Sequence, residues 1–220
     1  MLKAVIFDMD GVLINSEPYY LQQRIAYFKL LGLNISDERI ANMTGGNMKL
    51  VLPQLLPGRT PTDYEQMRKG YRYFKLQHPQ DFKATLMPDA LKTLTHLQQQ
   101  GVRMALASSS DRQTIDTMLT TTGLGEFFEV TLSGEDFERS KPDPSIYLTA
   151  LAKLQIDAKD AAAVEDSEMG IAAAKAAGIF TFAVAVADPR VATDQSQADY
   201  RLRKLGQLTG AVTLMRGHLE

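Results

Sequence analysis

The sequence predicts an α/β protein, a doubly wound and mostly parallel sheet with a helical cap domain inserted after its first strand. Three observations predict it. The run Val5-Ile6-Phe7 leads into Asp8-Met9-Asp10-Gly11, so a buried apolar strand stops at two carboxylates and a glycine. From Pro88 onward, helix-length and strand-length patterns alternate, which implies right-handed crossovers between parallel strands. Between these regions, residues 16–83 carry helical patterns and no convincing strand.

The elements follow in order. Asn15-Ser16-Glu17-Pro18 supplies capping residues and a first-turn proline, so a helix runs from Tyr19 to Leu31 and ends at Gly32. A second helix begins around Ser36 with Asp37 and Glu38 in its first turn, and Thr44-Gly45-Gly46-Asn47 breaks the pattern. Leu50 to Leu56 and Pro61 to His78 complete the helical block. Beyond Pro88 come a helix from Asp89 to Gln100 stopped by Gly101, a strand from Val102 to Ala107, and a helix from Asp111 to Thr122. A strand from Phe127 to Leu132, a helix from Pro144 to Leu154 and a strand from Ala161 to Val164 follow. A helix from Glu168 to Ala177 and a strand from Ile179 to Val184 close the alternation. Asp188 to Asp199, with Pro189, reads as a surface loop, and a last helix starts near Leu205. The expected domains are a core of residues 1–15 and 84–220 and a cap of residues 16–83, hinged near Leu13 to Glu17 and Phe82 to Met87. A cap beside the carboxyl edge would cover a site there and exclude water.

Composition narrows the function. At 220 residues and 45% hydrophobic content the chain can bury a large core. A net charge of -2 lacks the broad positive field of a nucleic-acid binder. The absence of cysteine excludes disulfides and thiolate metal sites, and three His beside 26 acids favour a hard, oxygen-liking cation. No apolar run reaches membrane-spanning length, and Met1-Leu2-Lys3 leads into the first strand without a leader pattern. A cytoplasmic monomer with no membrane or nucleic-acid partner is the expectation.

Four strand ends carry chemistry. In an extended segment Asp8 and Asp10 share a face while Met9 packs, so both carboxylates can meet one ligand, or they can simply end a strand. Ser108-Ser109-Ser110 follows the second strand, where hydroxyl and backbone N–H groups hold phosphate oxygens or serve as an ordinary helix cap. Ser140-Lys141-Pro142-Asp143-Pro144 frames a lysine between prolines, either to neutralise an anion or as a solvated surface charge. Glu165-Asp166 ends another apolar strand; such carboxylates bind a cation or begin an acidic helix. Taken with Asp8 and Asp10, a metal is the better explanation, and magnesium meets the need with few protein ligands.

In order and spacing, Asp8-Met9-Asp10-Gly11, Ser108, Lys141-Pro142-Asp143-Pro144 and Glu165-Asp166 with Gly170 resemble the four motifs of the haloacid dehalogenase superfamily. The likeness spans nearly the whole chain and is to the phosphatases and β-phosphoglucomutases with a helical cap near the N-terminus. It implies a Rossmann-like core and a Mg2+-dependent phosphatase acting on a small organic phosphate monoester, a sugar phosphate, through an aspartyl phosphate. It further implies Asp8 as nucleophile, Asp10 as the acid and base that serves the leaving group and then water, and Ser108, the Ser109 backbone and Lys141 as phosphoryl-binding groups. Magnesium would be held by the Asp8 side chain, the Asp10 main-chain carbonyl and Asp166, with Glu165 a ligand or a neighbour of one.

The family's dehalogenases do not carry an acid at the place of Asp10, which argues for phosphoryl transfer. The alternative is a β-phosphoglucomutase-like isomerase. Against it, Tyr19-Tyr20 stands in the region of the mutases' cap histidine, Thr44 to Lys49 lacks their arginine, and Asp111 replaces their lysine. An acid there repels a second phosphate. A non-enzymatic phosphoacceptor is a third reading, which Asp10 and the cap oppose. Tyr20, Asn47, Lys49, Tyr71, Arg72 and Lys75 are candidates for choosing the substrate, among which most are expected to be surface or packing residues.

Overall fold

In the computed structural model, residues 2–41, 43, 48–186 and 193–217 are described. The strands are β1 (Ala4–Phe7), β2 (Arg103–Ser108), β3 (Val130–Ser133), β4 (Ala161–Glu165), β5 (Phe180–Val184) and β6 (Tyr200–Leu202). The helices are α1 (Glu17–Leu30), α2 (Asp37–Ala41), α3 (Met48–Leu55), α4 (Pro61–Gln77) and α5 (Ala90–Gln99). They continue as α6 (Arg112–Thr122), α7 (Ser145–Leu154), α8 (Glu168–Ala176) and α9 (Leu208–Gly217). The described residues fall into two compact units, one of 2–15, 82–186 and 193–217, the other of 16–41, 43 and 48–81.

The first unit is built on a six-stranded sheet in the order β3-β2-β1-β4-β5-β6 with every pair parallel. This is the Rossmann-like, doubly wound arrangement. Strand alternation sorts the core into two faces. Val5, Phe7, Met104, Leu106 and Val164 pack toward α5, α6 and α9, where Leu94, Ile115 and Val212 meet them. Ala4, Ile6, Ala105, Ala107, Ala161 and Ala163 pack toward α7 and α8, where Ala150, Ala173 and Ala174 meet them. The second face is rich in alanine, so those helices lie close to the strands.

The second unit holds α1 to α4 around Tyr27, Phe28, Ile40, Val51, Leu52, Leu55 and Tyr71. Its longest helix, α4, begins with Thr60 and Asp63 in a reciprocal capping box, and Tyr27 ties α1 to α4 by donating to the Met67 carbonyl at 2.8 Å. No helix among the described residues is long and apolar enough to cross a membrane.

Two elements depart from the sequence reading. Phe127 is not in a strand: Gly123 turns the chain at φ 74° into a 3-10 turn over Leu124–Phe127, and β3 starts only at Val130. The phenylalanines there fill the core, Phe128 meeting Phe7 edge to face at 6.1 Å, instead of pairing in the ladder. Tyr200–Leu202, unmarked by any apolar run, pairs with β5 as the sheet's sixth strand. The expected break at Thr44 to Asn47, and the part of the expected loop from Asp188 to Ala192, lie outside the described residues.

Candidate active site

Strand order reverses between β1 and β4, the place where α/β sheets open a crevice at their carboxyl edge. The Asp8 N–H extends the β1–β4 ladder by donating to the Val164 carbonyl at 3.0 Å. Asp8 follows Ala4 and Ile6 in the alternation, and Glu165 follows Ala161 and Ala163, so both carboxylates emerge on the α7 side.

Lys141 joins them. Its Nζ donates to Asp8 Oδ1 at 2.6 Å, to Glu165 Oε1 at 2.6 Å and to the Ala107 carbonyl at 2.9 Å, using the three donors of an ammonium. Lys141 is 8% exposed and Glu165 fully buried, so this is a desolvated cluster. Burial alone would lower the Lys141 pKa, but the carboxylates of Asp8 and Glu165 hold it well above its ordinary value. Tyr147, on α7, completes the group by donating its hydroxyl to the same Glu165 oxygen at 2.6 Å, with Lys141 Nζ lying 5.2 Å from its ring centre.

Negative charge remains in surplus. Burial pushes the Asp8 carboxyl up to about 8; Lys141 opposes the rise, while Glu165 and Asp10 add to it. Oxygens of Asp8, Glu165 and Asp166 lie within 4.8 Å of one another, and Asp166 is only 9% exposed. Three nearly buried carboxylates against one ammonium, all with hard oxygen donors, fit a hard divalent cation. Two glycines make the approach possible. Gly11 has φ 76°, and a Cβ there would collide with the Asp166 carboxylate; a Cβ on Gly170 would collide with the Glu165 carboxylate. Gln195 fixes the main chain beneath, its side-chain amide donating to the Asp166 carbonyl at 2.7 Å and the Val184 carbonyl at 2.8 Å.

Asp10 stands apart from that carboxylate cluster, its Oδ2 accepting the Ser110 hydroxyl at 2.8 Å. Met9 between the two acids is buried, as the alternation requires. Ser108, the last residue of β2, is 1% exposed, and its Oγ accepts the Ser110 N–H at 3.1 Å. Ser109 lies on the exposed crest of the loop.

The plainer readings of these motifs find other owners. Asp111, not the serines, caps α6 by accepting the Thr114 N–H at 2.7 Å. Ser167, not Glu165 or Asp166, caps α8. Lys141 is buried, not solvated. The sequence marks Ser110 only as part of the serine run, and it does not mark Tyr147 or Gln195. Tyr147 sits in an apolar helical pattern and Gln195 in a polar loop. In the second unit Tyr71 belongs to the core, Lys75 Nζ lies about 6 Å above the rings of Tyr20 (6.0 Å) and Tyr71 (5.9 Å), and Lys49 and Arg72 are exposed. Asn47 lies outside the described residues.

Hexitol phosphatase B of Escherichia coli K12 is 30% identical over 94% of this chain and 94% of its own. The β-phosphoglucomutase of Bacillus subtilis is 28% identical over 88% of each chain. The crystal structure of CbbY from Rhodobacter sphaeroides in complex with phosphate shares the fold, with a TM-score of 0.75 at 22% identity over 94% of this chain and 96% of that one. The profile of the haloacid dehalogenase-like hydrolases matches residues 5–184, and the chain belongs to that family, among relatives that are phosphatases and β-phosphoglucomutases.

Proposed function

We propose that this protein is a magnesium-dependent phosphatase that hydrolyses a small organic phosphate monoester, a sugar phosphate, as a cytoplasmic monomer. The observation that carries the reading is the ammonium of Lys141 held at 2.6 Å from both Asp8 and Glu165 in a buried strand-end site. A buried lysine fixed by two carboxylates supplies positive charge where a phosphate dianion must approach an aspartate.

Asp8 is the nucleophile. A carboxylate oxygen of Asp8 forms a bond to phosphorus as the ester P–O bond breaks, and the electron pair of that bond goes to the leaving oxygen, which takes a proton from Asp10. Water then attacks the aspartyl phosphate, Asp10 takes its proton, and the acyl P–O bond breaks to return the Asp8 carboxylate and inorganic phosphate. Ser108 and the Ser109 main chain bind the transferring oxygens, and Lys141 joins them by turning to the phosphate the donor that Asp8 holds in the free site. Asp8, Asp166 and the Asp10 carbonyl would hold the metal, while both oxygens of Glu165 are engaged by Lys141, Tyr147 and Ser167 and serve to fix the lysine. When bound, the cation offsets the repulsion between carboxylate and phosphate.

Hydrolysis is favoured over isomerisation by Asp111, whose carboxylate sits at the start of α6 where a second phosphate would meet negative charge. Phosphate release from a panel of sugar and polyol monophosphates, with and without Mg2+, tests the proposal. Multiple turnovers that require Mg2+ support it. Absence of release from every member, with isomerisation of glucose 1-phosphate in the presence of a bisphosphate primer, would replace it with the mutase.

A further inference from the structure

We propose that Ser110 is the positioning residue for Asp10, holding one carboxylate oxygen so that the other is presented for proton transfer, and that Ser133 fixes Ser110 in that role. The proposal rests on the reading of Asp10 as the group that protonates the leaving oxygen.

The two oxygens of Asp10 are not equivalent. Oδ2 accepts the Ser110 hydroxyl at 2.8 Å, whereas Oδ1 is buried and has no hydrogen-bond partner among the described residues. A buried carboxylate oxygen without a partner is costly in a resting protein. It is the arrangement a proton-transfer group needs, because the unused oxygen is the one that can meet a leaving-group oxygen or a water. A serine hydroxyl has a single proton. While it is given to Asp10 it is not available to a phosphoryl oxygen, which separates Ser110 from the phosphate-binding role of its neighbour Ser108.

Ser110 is 100 residues from Asp10 in sequence, and the loop that carries it is clamped from below. Its N–H donates to Ser108 Oγ at 3.1 Å, and its carbonyl accepts the hydroxyl of Ser133 at 2.8 Å. Ser133 is fully buried, ends β3, and stands in register with Ser108 across the β2–β3 ladder. Its own N–H is held by Asp136 Oδ2 at 3.0 Å, an oxygen that also takes the Arg112 guanidinium at 2.6 Å. Beside it, a Cβ on Gly134 would come within 2.8 Å of the Ser109 carbonyl oxygen, so the end of β3 presses directly on the serine loop. The chain of contacts from Arg112 through Asp136 and Ser133 fixes the main chain of Ser110, from which its hydroxyl reaches Asp10.

The test is steady-state kinetics of Ser110→Ala, Ser110→Thr, Ser133→Ala, Asp10→Ala and the Asp10→Ala/Ser110→Ala double variant. Each is assayed on the best sugar monophosphate of the panel and on p-nitrophenyl phosphate, whose leaving group needs no protonation. Ser110→Ala is expected to lower kcat/KM on the sugar phosphate about 10- to 100-fold, part of the contribution of a positioned acid, while kcat/KM on the aryl ester, which reports phosphoryl transfer to Asp8 and not the later attack of water, is nearly kept. Ser110→Thr is expected to restore most of the loss, Ser133→Ala to fall in the same direction by less, and Ser110→Ala to cost nothing further once Asp10 is gone. Equal losses of kcat/KM on both substrates would overturn the proposal in favour of phosphate binding. If Asp10→Ala discriminates between leaving groups and Ser110→Ala does not, the proposal alone fails. If Asp10→Ala does not discriminate, the role of Asp10 fails and the proposal with it.

Discussion

Tyr147 donates its hydroxyl to Glu165 Oε1 at 2.6 Å, the oxygen that Lys141 also holds, and both side chains are fully buried. Glu165 is therefore balanced between a charge and a neutral donor. Tyr147→Phe removes a buried hydrogen bond to a charged group and is expected to cost about 1.5–3 kcal/mol. Lys141→Met, which leaves carboxylates buried without their cation, is expected to cost more, about 3–5 kcal/mol. Urea unfolding of the two variants checks the order.

Gly170 gives a prediction of unusual sign. Gly to Ala inside a helix ordinarily stabilises by about 0.5–1 kcal/mol. At Gly170 the new methyl would land on the Glu165 carboxylate, and α8 has no room to withdraw because Ala173 and Ala174 already pack on the alanine face of the sheet. Gly170→Ala is expected to destabilise by about 1–3 kcal/mol through overpacking. Gly210→Ala, in α9 where nothing lies within 4 Å of the added carbon, is expected to stabilise. Thermal melts of both variants provide the comparison.

These contacts mark where sequence patterns stop carrying information. The parallel sheet was legible because its central strands are continuous apolar runs ending in carboxylates, and alternation alone put Met9 in the core. β6 was not legible: two of its three residues, Tyr200 and Arg201, are exposed, and its pairing is set by β5 and not by its own pattern. Phe127 read as strand because strand and turn can both bury phenylalanine. In the site, acids and the lysine announce themselves by type and place, whereas Tyr147 and Gln195 act through a single atom on residues 18 and 29 positions away. No local pattern encodes such a reach.

Gln195 holds the main chain of Asp166 to that of Val184. Mg2+ at about 100 times its dissociation constant is expected to raise stability by about 2.7 kcal/mol. Gln195→Ala is expected to shrink the Mg2+-induced shift in melting temperature more than it lowers the melting temperature without metal. A full shift in the variant would show that Gln195 does not position Asp166.

Asp199 supplies a pH test outside the site. Burial opposes its ionisation, but Lys175 Nζ at 2.7 Å and the Thr181 N–H at 2.7 Å outweigh it and lower the pKa below the usual carboxylate value. A carboxylate with a lowered folded pKa stabilises the fold above its unfolded value, near 3.9, and that contribution is lost as pH falls through the folded value. Asp199→Asn is expected to melt lower than the native protein at neutral pH, the gap closing as pH falls below about 4. A gap that widens on acidification would reverse the assignment.

Whether Asp8 takes the phosphoryl group is read by mass spectrometry of the protein after rapid acid quenching during turnover of a sugar phosphate with Mg2+. A phosphoryl adduct is expected on the peptide containing Asp8, present in the native protein and absent from Asp8→Asn, which also loses turnover. Sustained turnover by Asp8→Asn, or an adduct mapped to another residue, would contradict Asp8 as the nucleophile.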